Sequence, residues 1–262
     1  MSAHRPRKRF GQHFLHDRQV IDRLITVIDP HPGQTLIEIG PGKGALTTRL
    51  VEQSDHLHVV EIDRDLADRL QRATLDHDKL TVHCVDALKF DFAAVKGSEK
   101  RIIGNLPYNI STPLLFHLLE QFEAIRDMTF MMQKEVVDRL VAAPGSRHYG
   151  RLSVMVQSVC RVDKLFEVSP GAFSPPPKVE SAVVRLTPSS DLANRITNRN
   201  LFACIIREAF SQRRKTLRNA LGSYINARQL HTLGIDPGLR PENLTVEQFI
   251  TLANHCHETG NQ

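Results

Sequence analysis

Short apolar runs alternate with stretches of helical period through the first part of the chain. Residues 17–28 set Val20, Ile21, Leu24, Ile25 and Ile28 on one face of a helix, and Pro30 to Gly33 end it. Thr35–Ile39 reads as a buried strand that runs into Gly40-Pro-Gly-Lys-Gly44-Ala45, and Leu46 to Leu50 resume a helical pattern. His58 to Asp63 form a second strand and Asp65 to Leu75 an amphipathic helix. Leu80 to Ala87 form a third strand and Arg101 to Asn105 a fourth. Strands alternating with helices predict an α/β layer with parallel pairing.

The strand ends carry the chemistry. Strand, glycine turn and helix around Gly40 describe a nucleotide-binding βα turn, where small residues let the backbone approach a ligand. The letters also fit G-x-G-x-x-A, so the turn alone does not separate a nicotinamide cofactor from another adenosine ligand. Glu38, two residues before the first glycine, would repel a pyrophosphate and attract an ammonium group. Pro41 removes a backbone donor from the loop that would cradle phosphate. Glu61 ends the second strand where an acidic residue accepts from a ribose diol, Asp86 ends the third and Asn105 the fourth. Each could be a helix cap. In succession they read as one adenosine-shaped site at the carboxyl edge of a sheet.

Asn105-Leu-Pro-Tyr108 adds a second function to that edge. Pro107 stiffens the turn and keeps Leu106 extended. The Asn105 amide oxygen can accept from an amino group and Tyr108 offers a ring for stacking, so the corner suits one flat base; the alternative is a strand cap and an ordinary Pro-Tyr turn.

Composition narrows the classes. The 262 residues are 41% hydrophobic with a formal charge of +5, as in a globular protein with a basic bias. Cys84, Cys160, Cys204 and Cys256 form no CxxC pair, which points to reduced thiols in a cytoplasmic protein with no metal site. His255-Cys256-His257 lacks a matching ligand pair. The basic start has no apolar targeting core and no run is long enough to span a bilayer, so no membrane partner is expected. Arg5 to Arg9 read either as a solvated tail or as a phosphate-contacting arm anchored by Phe10 and Phe14.

Several motifs together resemble the ribosomal RNA adenine N6-dimethyltransferases. They are Arg7-Lys-Arg-Phe-Gly-Gln-x-Phe-Leu15, Glu38-Ile-Gly-Pro-Gly-x-Gly44, Glu61, Asp86, Asn105-Leu-Pro-Tyr-Asn-Ile-Ser-Thr112, Gln133-Lys-Glu-Val-Val137, Phe173-Ser-Pro-Pro-Pro-Lys-Val-Glu-Ser-Ala-Val183 and Phe210-Ser-Gln-Arg-Arg-Lys-Thr-Leu217. The resemblance is strongest to the branch that dimethylates two adjacent adenosines in the 3′-terminal hairpin of 16S RNA within the 30S subunit or its precursor. It departs at His13, where the family usually has Asn.

The resemblance implies a class I S-adenosylmethionine-dependent methyltransferase fold, Rossmann-like, with seven strands and the last antiparallel. Met128 to Met132, Ser153 to Leu165 and Val179 to Leu186 would supply strands five to seven. It assigns the Gly40 loop to the methionine part of S-adenosylmethionine, Glu61 to the ribose and Asp86 to the adenine amino group, with His13 and Leu15 closing over them. Asn105 Oδ1 and a carbonyl of Leu106-Pro107 would take the target amino group and Tyr108 would stack on the base. Phe173 would cover the opposite face or serve as a core aromatic. Residues 1–188 would form the catalytic domain and 189–262 a helical domain for RNA or ribosome recognition. There, Asn200 to Arg218 is expected as one helix carrying Arg207, Arg213, Arg214, Lys215 and Arg218. A 23S adenine dimethyltransferase and a non-catalytic RNA-binding assembly factor remain the alternatives.

Overall fold

The computed structural model describes residues 12–73, 78–212 and 214–260. It falls into two compact units, Met1–Val137 with Asp163–Pro188, and Asp138–Val162 with Ser189–Gln262. The division differs from a cut at 188. Residues 138–162, expected in the catalytic part, cluster with the C-terminal helices.

The first unit begins with β1 (Phe14–Leu15), α1 (Arg18–Ile28), β2 (Thr35–Ile39), α2 (Thr47–Gln53), β3 (His56–Val60), α3 (Arg64–Ala73) and β4 (Leu80–His83). It continues with β5 (Lys100–Asn105), α4 (Ser111–Leu119) and β6 (Ile125–Gln133). After α5 (Lys134–Leu140) and α6 (Arg151–Gln157), the chain returns through β7 (Cys160–Val168), β8 (Phe173–Ser174) and β9 (Ser181–Pro188). The sheet order is β4-β3-β2-β5-β6-β9-β7. β2 pairs in parallel with β3 and β5, β3 with β4 and β5 with β6, whereas β9 runs antiparallel to β6.

Every residue of β2 is buried, as a central parallel strand covered on both faces requires. Gly104 explains how β5 fits beside it: a Cβ there would lie 2.7 Å from the Ile39 carbonyl oxygen. Asp17 caps α1 by accepting from the Gln19 and Val20 amides at 2.9 and 3.1 Å, and the helix buries Leu24, Ile25 and Ile28. A polar knot underlies the sheet. Arg101 Nε donates to both Asp127 oxygens at 3.0 Å, and Arg101 NH1 donates to the Asp29 carbonyl and to Gln34 Oε1.

The second unit holds α6 and α7 (Ser190–Ala193), α8 (Arg199–Ala209), α9 (Leu217–Ala220), α10 (Ala227–Thr232) and α11 (Val246–Glu258). Residues 151–157 are helix rather than the start of strand six. Ser153 Oγ accepts the Gly150 amide at 3.1 Å and donates to the Arg139 carbonyl at 2.6 Å, which nucleates the first turn. The basic stretch is also not one helix. α8 stops at Ala209, Phe210 turns out to face the rings of Tyr149 and Phe249, and the Leu217 amide bonds to the Leu239 carbonyl. Arg207, Arg214, Lys215 and Arg218 therefore share no helical face, and Arg213, like Arg5 to Arg9, lies outside the described residues.

Candidate active site

Sequence order changes direction between β2 and β5, and in such sheets the crevice beyond the strand ends receives ligands. A cavity of about 290 Å³ opens there, close to the lower end of the range for ligand sites, ~300–1,000 Å³. His13, Leu15, Gly40, Glu61, Asp86, Asn105, Leu106, Pro107 and Tyr108 all line it. Phe173 does not. At 3% exposure it sits in the hydrophobic core, paired across β1 and β8 with Leu15, and so has no free ring face. The core-aromatic alternative describes this placement.

The glycine turn is shaped by backbone angles that L side chains rarely adopt: φ is 66° at Gly40, 57° at Gly42 and 84° at Gly44. The Gly40 amide bonds to the Val60 carbonyl at 2.9 Å, and a Cβ at Gly42 would press on the Phe14 ring at 3.0 Å. The turn is thus packed under β1, with Lys43 Nζ 4.7 Å from the centre of the same ring.

Two carboxyls stand behind the turn. Glu61, 5% exposed, accepts the Asp63 amide at 2.9 Å on Oε1 and the Gly42 amide at 3.3 Å on Oε2. Burial raises its pKa above the ordinary carboxyl value, those two amides pull it back, and the Asp63 charge adds to the rise. Glu38, 2% exposed, accepts from Thr47 Oγ1 at 2.7 Å. Burial is the main cause that pushes it up to about 7, opposed by the Thr47 bond and reinforced by the Glu61 charge. An ionised Glu38 is costly without a cation beside it. Asp86 Oδ1 accepts the Leu88 amide at 3.0 Å, capping the turn that follows β4. Capping and cavity lining coexist in this residue. Strand three accordingly ends at His83, short of Ala87, because the Val85 amide turns to the Glu61 and His83 carbonyls.

At the other wall, Asn105 Nδ2 donates to the His13 carbonyl at 3.0 Å. With the nitrogen committed, the amide presents Oδ1 as its remaining acceptor. Of the two carbonyls expected beside it, that of Pro107 already accepts the Ile110 amide at 3.1 Å and Ser111 Oγ at 2.9 Å, which leaves that of Leu106. Tyr108 is held at its hydroxyl by Ser181 Oγ, 2.7 Å away. Burial raises its pKa, with the Ser181 bond acting in the opposite sense. Its ring centre lies 5.6 Å from that of His13.

Sequence reasoning missed Gln12, Lys43, Ile62 and Leu88 on the cavity wall. Ile62 had a readable signal: an apolar residue directly after the strand-ending Glu61, left 45% exposed. Among the described residues no group of three or more His, Cys, Asp or Glu could hold a metal ion, and no helix is long and apolar enough to cross a membrane.

Strand order, glycine turn and the row of polar strand ends define a class I methyltransferase domain. A dimethyladenosine transferase from Plasmodium falciparum superposes with a TM-score of 0.84, at 27% identity over 95% of this chain and 98% of that one. The 23S rRNA methyltransferase ErmE shares the fold, with a TM-score of 0.70 and 24% identity over 93% of this chain and 99% of its own. The family model for ribosomal RNA adenine dimethylase matches residues 3–258, and the chain belongs to that family. Its relatives include proteins named ribosomal RNA small subunit methyltransferase A. The one from Alcanivorax borkumensis is 55% identical over 97% of this chain and 91% of its own length. That from Chromobacterium violaceum is 53% identical over 99% of both.

Proposed function

We propose that this enzyme transfers methyl groups from S-adenosylmethionine to N6 of two adjacent adenosines in the 3′-terminal hairpin of 16S RNA, giving N6,N6-dimethyladenosine on the 30S subunit or its precursor. One observation carries the chemistry: Asn105 is held by its amide nitrogen beside Leu106 and Tyr108, with its oxygen left as acceptor at the cavity. The relatives named for the small subunit support the choice of RNA.

The residues present fit the cofactor. The buried carboxyl of Glu38 suits its ammonium group, Glu61 its ribose hydroxyls and Asp86 its adenine amino group, with apolar wall supplied by Ile39, Ile62 and Leu88. When bound, S-adenosylmethionine supplies an electrophilic methyl group on a sulfonium. The adenine N6 is a poor nucleophile because its lone pair is delocalised into the ring. Asn105 Oδ1 and the Leu106 carbonyl accept from the amino group and aim that lone pair, a positioning effect of several kcal/mol. No strong general base is required, since the departing proton becomes acidic as nitrogen turns cationic. After the first methylation a single N–H remains, so one acceptor suffices for the second. Tyr108 stacks on a base taken out of its helix, as base-modifying enzymes require, and Ser181 fixes the angle of its ring.

The RNA-recognition role proposed for the second unit rests on Arg207, Arg214, Lys215 and Arg218, which are interrupted by one acid, Glu208. They act from a turn and two helix ends rather than from one helical stripe. The test is incubation with labelled S-adenosylmethionine and undermethylated 30S particles, followed by mapping of the labelled nucleotides. Label on two adjacent adenosines of the 3′ hairpin is expected; label elsewhere in the 16S RNA, or none on 30S particles while free 23S RNA offered in a parallel reaction is labelled, refutes the assignment.

A further inference from the structure

His13 joins three parts of the site. Its carbonyl takes the Asn105 Nδ2 proton at 3.0 Å. Its ring Nδ1 lies 2.8 Å from the Pro175 carbonyl oxygen. Its ring packs near Tyr108, the centres 5.6 Å apart and the planes inclined by 31°. A carbonyl oxygen only accepts, so Nδ1 carries the hydrogen. The ring therefore ties β1 to the segment following β8, in line with the pairing of Phe14 to Ser174 and Leu15 to Phe173. On the far side of that tie, the same residue's backbone holds the Asn105 amide.

We infer that His13 is a positioning residue, whose Nδ1–H bond to Pro175 holds the carbonyl that orients Asn105 for methyl transfer. The inference rests on the adenine methyltransferase reading above. It gives a role to the His13 side chain, the position at which the sequence departs from the Asn usual in the family. Two features make the assignment specific. β1 has only two residues, too short to fix its own register, so the ring bond at its entrance supplies a needed constraint. An Asn side chain at position 13 would place Nδ2 at the same remove from Cβ as the histidine Nδ1, and so could donate the same bond. A Leu side chain fills similar space and cannot.

The experiment compares the parent with His13→Leu and His13→Asn in three measurements. These are the methylation rate constant on undermethylated 30S particles at saturating S-adenosylmethionine, the affinity for S-adenosylhomocysteine by calorimetry, and backbone amide exchange over residues 14–17 without ligand. Loss of one positioning hydrogen bond corresponds to roughly a fivefold to tenfold fall in rate. His13→Leu should show that fall with affinity within about twofold of the parent and with faster exchange at 14–17. His13→Asn should recover most of the rate and the slow exchange. A proportional loss of S-adenosylhomocysteine affinity at an unchanged rate constant would return the side chain to the cofactor site and overturn the inference. So would a His13→Leu protein equal to the parent in rate and exchange. If the parent itself leaves 30S particles unlabelled, the functional reading fails, and the exchange comparison still decides whether the tie exists.

Discussion

Glu38→Gln should make the protein more stable and a weaker cofactor binder, with both effects growing as pH rises. In the fold Glu38 keeps its proton up to about 7, whereas an unperturbed carboxyl loses it near 4.5. Between those values the folded chain holds more protons than the unfolded one, so the Glu38 contribution to stability falls as pH rises through the window and is flat above it. At ~1.4 kcal/mol per pH unit over roughly two and a half units, the ionised carboxyl costs about 3 kcal/mol at pH 8.5. The neutral amide of the variant carries no such cost and keeps an oxygen for the Thr47 hydroxyl. Any fixed packing penalty of the amide is equal at both ends of the range. Urea unfolding of the two proteins at pH 5 and pH 8.5 should therefore show the difference shifting toward the variant by about 2–3 kcal/mol. If Glu38 receives the cofactor's ammonium group, binding drives it to ionise and releases about half a proton at pH 7. That release would be read from the dependence of the calorimetric heat on buffer, and should vanish in the variant. A stability difference independent of pH would show that Glu38 is already ionised and refute the reasoning.

Further outcomes follow from the same geometry. Asn105→Ala should lower the methylation rate by orders of magnitude while particle binding stays near parental; turnover close to the parent would remove Asn105 from its role. Glu61→Ala should weaken S-adenosylmethionine binding by ~1–3 kcal/mol, the range for truncating a charged hydrogen-bond partner, and unchanged affinity by calorimetry would leave it only the Asp63 and Gly42 amides to hold. Asp127→Ala strands the buried Arg101 and should cost ~3–5 kcal/mol of stability, measured by denaturant midpoint, and a loss under ~1 kcal/mol would count against a buried charge at that position.

The parallel half of the sheet was legible because its strands obey local rules. Thr35–Ile39 is apolar for most of its length and bounded by breakers, and β2 has those same ends. The site was legible for a related reason: its polar groups sit at or just beyond strand ends, so position along the chain translates into position at one sheet edge. Where tertiary contacts decide, the reading failed. Ser153 to Val159 is β-branched enough to pass for a strand, yet the Ser153 bonds to Gly150 and Arg139 start a helix. Residues 210–216 continue a helical pattern in sequence, but Phe210 leaves the helix to join two other aromatic rings. Phe173 followed a recognisable motif, and only the pairing of β1 with β8 shows its ring to be spent on the core. The knot of Arg101, Asp127, Gln34 and the Asp29 carbonyl shares no motif, and its bond from Arg101 to Asp29 alone spans 72 positions.

The order of the strands also constrains how the protein is made. β9 lies between β6 and β7 in the sheet although it is synthesised after both, and the His13 to Pro175 bond spans 162 positions. A nascent chain that has emerged only through β7 has a gap where β9 belongs, with the backbone of β6 unpaired along that side. It also lacks the partner of β1. Such an intermediate has an open strand edge to shield. Shortened products ending before residue 181 should therefore be inactive and prone to aggregate, whereas release of β9 fills the gap beside β6 and closes the sheet.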